Sequence, residues 1–385
     1  MAFIDHNLWH RVRTTGHITA AGATLWALAR SGDLLSQFLQ AKHRPADFGP
    51  LTSRTGATLP AESFLEQDPP DHTRLRRLVA PAFRPKLIRS YRCQIEAIAE
   101  NLLDRAAQRG SFDLITDFAA PLPIMVITKM LGIPDVDVDR FARIGAVVGR
   151  SLGGVLSRRQ AKELHAASED LVALFIKIER HRHPGDDVLS ILTAAKADDQ
   201  LGPEELVATC SLLLIAGFET TVNLIGNATV ALAQRPDQWS LLRDDLSRAP
   251  AVVEETLRFD PPVQATVRVP HEPIELAGQT RPPGARVMLM LAAANRDPEV
   301  YPDPDRFDIT RTGGPEHLAF SSGIHYCLGA ALARLEGEVA LQVLARRLPR
   351  LRMTGSLRRR PGSAIRGFAS IPMAAGDVDN HAMTR

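Results

Sequence analysis

The chain has 385 residues, a formal net charge of +2, 45% hydrophobic residues and only 5% aromatic residues. So small a net charge gives no general reason for binding nucleic acid or an anionic membrane surface. Its three cysteines form no CxxC pair, which argues against a disulfide framework and favours an intracellular chain.

The first sixty residues mix short apolar runs with glycine and proline, a pattern that predicts strands and turns. Within them, Arg11 and Arg13 precede a mildly apolar stretch at 18–29 that loosely resembles an export signal. Because Gly22 and two threonines weaken this apolar run, we expect no export signal here.

Apolar residues at helical spacing, punctuated by prolines, predict a mainly helical chain from His72 onward. The predicted helices are one that begins near His72 and others at 87–107, 123–131, 136–150, 159–181, 203–234, 250–259 and 330–348. Residues 263–291 alternate as strands do, and 295–314 are rich in Pro, Asp and Gly and are expected to be irregular. No linker divides the chain, so we predict one domain over 1–375 and a disordered tail at 376–385.

The stretch 206–232 is long and apolar enough to cross a bilayer. However, Glu219, Asn223 and Asn227 lie near its middle, where hydrocarbon would penalise them. We therefore predict a buried core helix and no transmembrane segment.

The strongest chemical signal is the segment 320–329, Phe-Ser-Ser-Gly-Ile-His-Tyr-Cys-Leu-Gly. Its Cys327 precedes a predicted helix start, where free N–H groups and the helix dipole favour a thiolate and lower its pKa. Gly323 and Gly329 permit tight turns and the close approach of a flat ligand. Such a thiolate can bind iron or attack a carbonyl, and the alternative is a buried, inert cysteine.

A second signal lies midway along the longest predicted helix, at residues 216–221. Gly217 and Thr220 are poor choices for a helix interior, and Thr220 can bond back to the carbonyl of Ala216. Gly217 would also leave room for a planar cofactor. The pattern predicts a small groove for water or dioxygen beside the acid Glu219, and the alternative is an ordinary helix with a buried polar kink.

A third signal is the pair Glu255 and Arg258, which share one helix face at i,i+3. Arg306 could be a third partner. Taken alone, the pair could equally be a solvated surface contact.

In their residues and in their order along the chain, these three motifs resemble the cytochrome P450 family in its soluble bacterial form. The resemblance extends from about His72 to the end of the helix after Cys327. The resemblance implies a mainly α fold with a small β portion, with haem b between the long central helix and the helix after the cysteine loop. The part before His72 cannot be matched, so the family's opening helix is expected to be short or missing.

The same resemblance assigns roles to single residues. Cys327 is implied to be the iron ligand, and Thr220 and Glu219 the hydroxyl and the acid that handle protons beside bound dioxygen. The structural triad behind the cysteine loop would be Glu255, Arg258 and Arg306. The remaining residues expected to contact the haem or its propionates are His72, Arg76, Ala216, Gly217, Arg268, Phe320, Gly323, His325 and Gly329.

The implied activity is a monooxygenase that inserts one oxygen atom of O2 into a small apolar substrate by hydroxylation or epoxidation. The substrate would be a lipid, terpenoid, steroid or polyketide, because the expected pocket segments 59–66, 147–156 and 263–266 are mostly apolar. The chain has no GxGxxG fingerprint, so electrons would come from another protein. The resemblance implies that this donor is a ferredoxin, itself reduced by a flavin reductase. Their docking face would include Arg334, Arg346 and Arg347, and the protein would be cytoplasmic.

Three other functions remain open from the residues alone. His325 and Cys327 could be the base and nucleophile of a hydrolase or acyltransferase. The HxC spacing could belong to a zinc site, although no second ligand pair is evident. A haem-binding carrier or sensor would keep the fold without turnover, but it would not need Glu219 and Thr220.

Overall fold

The computed structural model describes residues 16–20, 23–28, 44–45, 63–65, 67–134, 137–151, 158–181, 185–269, 271–276, 279–285, 287–348, 350–360 and 364–374. The expected tail at 376–385 and most of the region assigned to the opening helix lie outside the described residues. So do parts of two predicted pocket segments, at 59–62, 66 and 152–156.

Helices dominate the described part of the chain. They are α1 (Asp71–Val79), α2 (Pro85–Ser90), α3 (Arg92–Ala107), α4 (Pro121–Leu131), α5 (Val138–Ser151), α6 (Arg158–His181), α7 (Val188–Ala197), α8 (Pro203–Ala233), α9 (Pro236–Asp244), α10 (Ala249–Phe259), α11 (Leu291–Ala294) and α12 (Ala330–Arg347).

Three of these helices, α7, α9 and the short α11, were not predicted from the sequence. The side chain of Asp187 caps α7 by accepting a hydrogen bond from the Ser190 N–H at 2.9 Å. Pro236, which we interpreted only as the end of α8, is also the first residue of α9. Proline suits the first turn of a helix because the N–H that it lacks would have no partner there.

The largest sheet combines early and late strands. The strands are β1 (Gly16–Ala20), β2 (Ala23–Leu28), β3 (Arg44–Pro45), β5 (Thr266–Val269) and β8 (Val287–Leu289), in the order β1-β2-β8-β5-β3. The stretch that loosely resembled an export signal therefore contributes two sheet strands, with β1 antiparallel to β2 and β2 parallel to β8.

Smaller strand pairs complete the β portion. They are β4 (Ser111–Asp113) with β11 (Pro372–Ala374), β6 (Ile274–Leu276) with β7 (Gln279–Arg281), and β9 (Arg358–Arg359) with β10 (Phe368–Ser370). The pairing of β9 with β10 forms a C-terminal hairpin that packs against α8. The result is the mainly helical fold with a small β portion that the sequence predicted.

Helix α8 is the centre of the core. It packs against α4, α10 and α12, which cover its sides. Two of its polar side chains have hydrogen-bond partners inside the protein. The Asn223 side chain donates to the Glu219 carbonyl and the Asn227 side chain donates to the Asp260 carbonyl, both at 2.9 Å. By length and composition α8 could span a membrane, but it is a buried core helix here, as predicted.

Candidate active site

The cysteine loop between residues 318 and 329 is irregular but ordered by its backbone. Two short 3₁₀ turns, at Leu318–Phe320 and Gly323–His325, precede Cys327. Between them Ser321 and Gly323 have φ of 62° and 70°, a region that glycine enters without strain. The Cys327 N–H donates to the Phe320 carbonyl at 2.9 Å, which closes the loop just before α12 begins.

The side chain of Cys327 is accessible to solvent although it lies deep in the protein. Its surface is exposed, yet protein atoms surround it so densely that burial dominates its pKa. Burial raises the pKa of this thiol, while the Gly329 N–H and the guanidinium groups of Arg76 and Arg334 lower it by less. The predicted lowering of the pKa is therefore wrong for the protein alone, because lost hydration outweighs the helix end. A bound metal ion would reverse this balance, since coordination deprotonates a thiol.

A second surface of the site lies on α8. Between Leu206 and Leu232 every residue is buried except Ala216, Gly217 and Thr220. These three positions, at i, i+1 and i+4, share one side of a helix. The Thr220 hydroxyl donates to the Ala216 carbonyl at 3.2 Å, which is the backbone contact that the sequence suggested. The middle of α8 therefore opens onto a cavity on this side alone.

Close helix packing explains Gly217. A Cβ at this position would lie 2.6 Å from Cγ1 of Ile127 on α4. Likewise, a Cβ at Gly145 on α5 would lie 2.2 Å from the Phe218 ring. Both glycines thus allow neighbouring helices to approach α8, and the admission of a flat cofactor by Gly217 stays a prediction.

The acid Glu219 lies on another side of α8 from Thr220. It is 4% exposed, and its carboxylate forms an ion pair with Arg360 at the end of the C-terminal hairpin. No sequence signal pointed to Arg360, because it is 141 residues away from Glu219 in the chain.

Four basic side chains from distant segments meet near the cysteine loop. The rings of His72 and His325 are 4.6 Å apart, and neither ring nitrogen of His72 nor Nε2 of His325 has a hydrogen-bond partner. Within the described residues, the buried Arg268 guanidinium donates only to the Thr266 hydroxyl and the Val267 carbonyl, both at 2.9 Å. Arg76 instead donates to the Ile324 carbonyl at 2.9 Å and to the Tyr326 carbonyl, so it also supports the loop.

This basic cluster is electrostatically unbalanced. Burial, followed by Arg268, His72 and Arg76, lowers the pKa of His325 to about 3. Burial and then Arg76 also lower the pKa of His72, and burial lowers the pKa of Arg268, while the charge of Asp68 offsets part of both shifts. Among the described residues, no carboxylate forms an ion pair with Arg76 or Arg268 within this cluster. Buried donors without partners are costly, so the cluster suits an anionic ligand.

These features together fit haem b. Cys327 would supply the sulfur ligand to the iron, and Ala216 and Thr220 would line the site of the flat ligand. A Cβ at Gly329 would point into open space, with no atom within 4 Å. His72, Arg268 and His325 would supply donors to the two propionates. That the site residues predicted from distant parts of the sequence surround one cavity stays a prediction.

The predicted triad is present, but its third member is a different residue from the one predicted. Glu255 and Arg258 form a buried two-pronged ion pair, with both N–O distances 2.7 Å. The third side chain is Arg311, whose Nε lies 3.3 Å from Glu255, whereas the side chain of Arg306 is 65% exposed and turns to Asp308. The prediction that the Arg306 side chain is the third partner is therefore wrong. Instead, the backbone carbonyl of Arg306 accepts a hydrogen bond from the Arg258 side chain at 2.9 Å.

The arginines predicted to attract an electron donor are already paired. Arg334 contacts Glu254 and Glu316, Arg346 contacts Glu96 and Glu100, and Arg347 contacts Glu100 and Asp104. Their charge is therefore largely neutralised, which gives less support to a positive docking face at these arginines, and that docking face stays a prediction. We define the basic patch as four exposed residues that have no ion-pair partner in the described part of the chain: Arg77, Arg84, Lys86 and Arg89.

The geometry also argues against two of the other functions, the cysteine-nucleophile enzyme and the zinc site. With a pKa of about 3, His325 is a poor general base for a cysteine nucleophile at neutral pH. Within the described residues, no group of three or more His, Cys, Asp and Glu side chains could hold a metal ion, so nothing there supports a zinc site.

Comparison with known proteins agrees with this site. The model of the cytochrome P450 family matches residues 156–349. Cytochrome P450 107B1 of Saccharopolyspora erythraea is 46% identical over 81% of this chain and 77% of its own length. The vitamin D(3) 25-hydroxylase of Pseudonocardia autotrophica is 40% identical over 91% of this chain and 88% of its own. A myxobacterial cytochrome P450 crystallised with myristic acid superposes with a TM-score of 0.87, at 36% identity, over 96% of this chain and 95% of that one.

Proposed function

The chain belongs to the cytochrome P450 family, and on that premise we propose that it inserts one oxygen atom of O2 into a small apolar substrate by hydroxylation or epoxidation. As a member of this family it binds haem b and is an oxidoreductase of the monooxygenase class. The observation that carries the finer proposal is the opening of α8 at Ala216, Gly217 and Thr220 within an otherwise buried helix.

We assign the iron ligand to Cys327. When bound, a haem with a thiolate ligand supplies the oxidising power for attack on an unactivated C–H bond. The protein supplies position: the Cys327 N–H bond to Phe320 fixes the loop, and Arg76 holds the carbonyls of Ile324 and Tyr326.

We assign proton handling to Thr220 and Glu219. The overall reaction consumes two electrons and two protons, and it gives one oxygenated product and one water. The Thr220 hydroxyl is on the cavity side of α8, where it can steady a water or an oxygen molecule. The buried Glu219 is the nearest acid along the helix and the source of protons that we propose.

We propose an apolar substrate with at least one long or polycyclic hydrocarbon part. The exposed methyl group of Ala216 and the half-buried Val263 offer apolar contact in the predicted pocket. Related proteins are named for vitamin D(3) or bound to myristic acid, which makes these two compounds the first to try.

One experiment on the haem-loaded protein tests the proposal. We expect the reduced protein with carbon monoxide to show a strongly red-shifted Soret band, and myristic acid or vitamin D(3) to change the spectrum of the oxidised protein. With a ferredoxin, a flavin reductase and NADH, the bound compound should gain one oxygen atom by mass. Binding without any oxygenated product from either compound would instead favour the carrier or sensor.

We propose that the electron donor is an acidic ferredoxin, reduced by a flavin reductase, and that it docks on the basic patch. Helix α1, which carries Arg77, bonds to the cysteine loop through Arg76, and α2, which carries Lys86 and Arg89, packs on α12. The patch is therefore on the side of the molecule that holds the cysteine loop. Unpaired exposed cations attract an acidic partner at long range.

Charge reversal tests this docking site. Arg84→Glu with Arg89→Glu should raise the apparent Kd for the ferredoxin by about tenfold at low salt, with a smaller effect at high salt. Arg346→Glu is the matched control, because its guanidinium is already paired with Glu96 and Glu100. An equal effect of both changes would remove the basic patch as the docking site.

We also propose a cytoplasmic location. The one described helix that is long and apolar enough for a membrane is buried in the core, where Asn223 and Asn227 bond to backbone carbonyls. Recovery of the full-length protein from the membrane fraction of the native cell would contradict this proposal.

A further inference from the structure

We propose that Arg360 is a positioning residue for proton delivery: by pairing with Glu219, it fixes the carboxylate that feeds the Thr220 side of α8. The inference deepens the proposed function and rests on it. It places the C-terminal hairpin, whose hydrogen bonds in the described residues reach Glu219 but neither Cys327 nor Thr220, inside the proton pathway.

The first observation is the burial of the pair. Glu219 has 6% of its side chain exposed and Arg360 has 19%, and their ion pair is direct. A buried carboxylate without a partner would be strongly disfavoured, and removing one member of a buried pair leaves the other uncompensated. Arg360 therefore supplies the Glu219 carboxylate with a direct charged partner and helps to fix its position while it carries a negative charge.

The second observation is that the hairpin holds Arg360 rigidly. Its Nε donates to the Phe368 carbonyl at 3.1 Å, and its backbone N–H donates to the Gly367 carbonyl at 3.1 Å. Within the guanidinium, Nε thus bonds to the hairpin itself and Nη1 bonds to Glu219. A lysine could keep the charge but could not make both contacts with the same planar group.

The third observation is a close approach between the hairpin and α8 one turn beyond Glu219. A Cβ at Gly367 would lie 1.9 Å from Oδ1 of Asn223 and 2.8 Å from its Cβ. Asn223 in turn donates from its side chain to the Glu219 carbonyl at 2.9 Å. Glycine at 367 therefore lets the hairpin approach α8 closely enough for Arg360 to reach Glu219.

The direction of the side chains gives this pair its function. Consecutive helix residues point about 100° apart, so Glu219 and Thr220 face different surroundings. Thr220 faces the cavity, whereas Glu219 lies between Arg360 and the α5 helix, where a Cβ at Gly145 would lie 3.3 Å from its Oε2. A proton from Glu219 must therefore pass from the hairpin side of α8 to the cavity side, and Arg360 fixes its starting point.

If protons are delivered to the wrong place, the reaction releases hydrogen peroxide, which can be measured. In the coupled reaction, O2, two electrons, two protons and the substrate give oxygenated substrate and water. In the uncoupled reaction, O2, two electrons and two protons leave as hydrogen peroxide. The electrons come from the ferredoxin in both cases, so the ratio of product to peroxide reports on the steps after electron transfer, which include proton delivery.

The experiment uses the haem-loaded protein with Arg360→Gln, Arg360→Lys and the control Arg358→Gln, an exposed neighbour on the same hairpin. We expect product formed per NADH to fall about tenfold in Arg360→Gln, as for other partners that orient a functional group, with a matching rise in peroxide. The solvent deuterium isotope effect on kcat should change with it. Arg360→Lys should recover part of the coupling, and Arg358→Gln should match the wild type.

A second readout does not depend on activity. Urea unfolding of Arg360→Gln, Glu219→Gln and the double variant forms a double-mutant cycle, in which a direct pair gives a non-additive result. Additive effects, or wild-type coupling and isotope effect in Arg360→Gln, would overturn the proposal. If Arg360→Gln does not fold, Arg360→Met serves with the same expectations. Failure of the proposed function is recognised separately, because the wild type would then lack the red-shifted carbon monoxide spectrum or form no product.

Discussion

The two sides of the candidate site are built in opposite ways. The cysteine loop and the irregular segment before it are fixed by polar contacts, in which Arg76 donates to the Ile324 carbonyl and Arg258 donates to the Pro304 carbonyl at 2.8 Å. The face of α8 at Ala216 and Thr220 makes almost none, and close packing of neighbouring helices positions it.

The difference follows from the backbone. A helix satisfies its own N–H and C=O groups, so α8 needs only apolar packing to be placed. An irregular loop leaves carbonyls that must find donors elsewhere, and arginine supplies several donors from one planar group. A metal ligand therefore rests on a polar scaffold, while the surface opposite it can stay apolar and open.

The sharpest test of this contrast removes the thiol itself. In Cys327→Ala we expect the red-shifted carbon monoxide band to disappear and product formation to fall at least about a thousandfold, because thiolate donation drives O–O cleavage. Cys93→Ala is the control, since Cys93 is exposed on α3. A sulfur-ligand spectrum that survives in Cys327→Ala would place the iron ligand elsewhere.

Breaking the polar scaffold should destabilise the protein strongly. Glu255→Gln leaves Arg258 buried with only carbonyl partners, and we expect a loss of about 3–5 kcal/mol in the free energy of unfolding. Arg311→Gln should cost about 1–2 kcal/mol, since it removes one charged contact at the edge of the cluster. Urea unfolding of the haem-loaded protein measures both.

Arg306→Gln is the control for this scaffold. Its side chain is 65% exposed and does not contact Glu255, so the expected change is within about 0.5 kcal/mol. A larger loss for Arg306→Gln than for Arg311→Gln would restore Arg306 as the third member of the triad.

Crowding the α8 side of the site should lower the free energy of unfolding by less. Gly217→Ala places a Cβ 2.6 Å from Ile127, and overpacking of this kind costs about 1–3 kcal/mol. Adding Ile127→Ala should relieve the contact, so the alanine at 217 should then cost less in urea unfolding. Gly226→Ala on the same helix has more room, with the nearest atom at 3.0 Å, and is the matched control. Equal losses at 217 and 226 would contradict the packing explanation.

The smallest effect on stability is expected from Thr220→Ala, because its hydroxyl only bonds back to the Ala216 carbonyl. We expect a change within about 1 kcal/mol in unfolding, yet product formed per NADH should fall at least about tenfold through lost proton handling. Thr229→Ala removes the same type of bond, from its hydroxyl to the Ile225 carbonyl, and should leave coupling unchanged. Full coupling in Thr220→Ala would remove the assigned role.

The sequence was most informative where the chemistry is local. Cys327 lies in a loop whose signal is carried by consecutive residues, and the back-bond of Thr220 to Ala216 needs only four residues of helix. Glu255 and Arg258 are likewise three residues apart. For the same reason, helical spacing and proline punctuation predicted the bounds of most of the expected helices to within a few residues.

The tertiary structure decided everything that depends on distant segments meeting. It replaced Arg306 by Arg311, paired Arg346 and Arg347 with acids of α3, and brought Arg360 to Glu219. Arginines carry the same charge wherever they stand, so a sequence cannot tell which one reaches a given carboxylate. The residue types and their local spacing determined the chemistry, while the packing of helices and hairpin determined which partners that chemistry has.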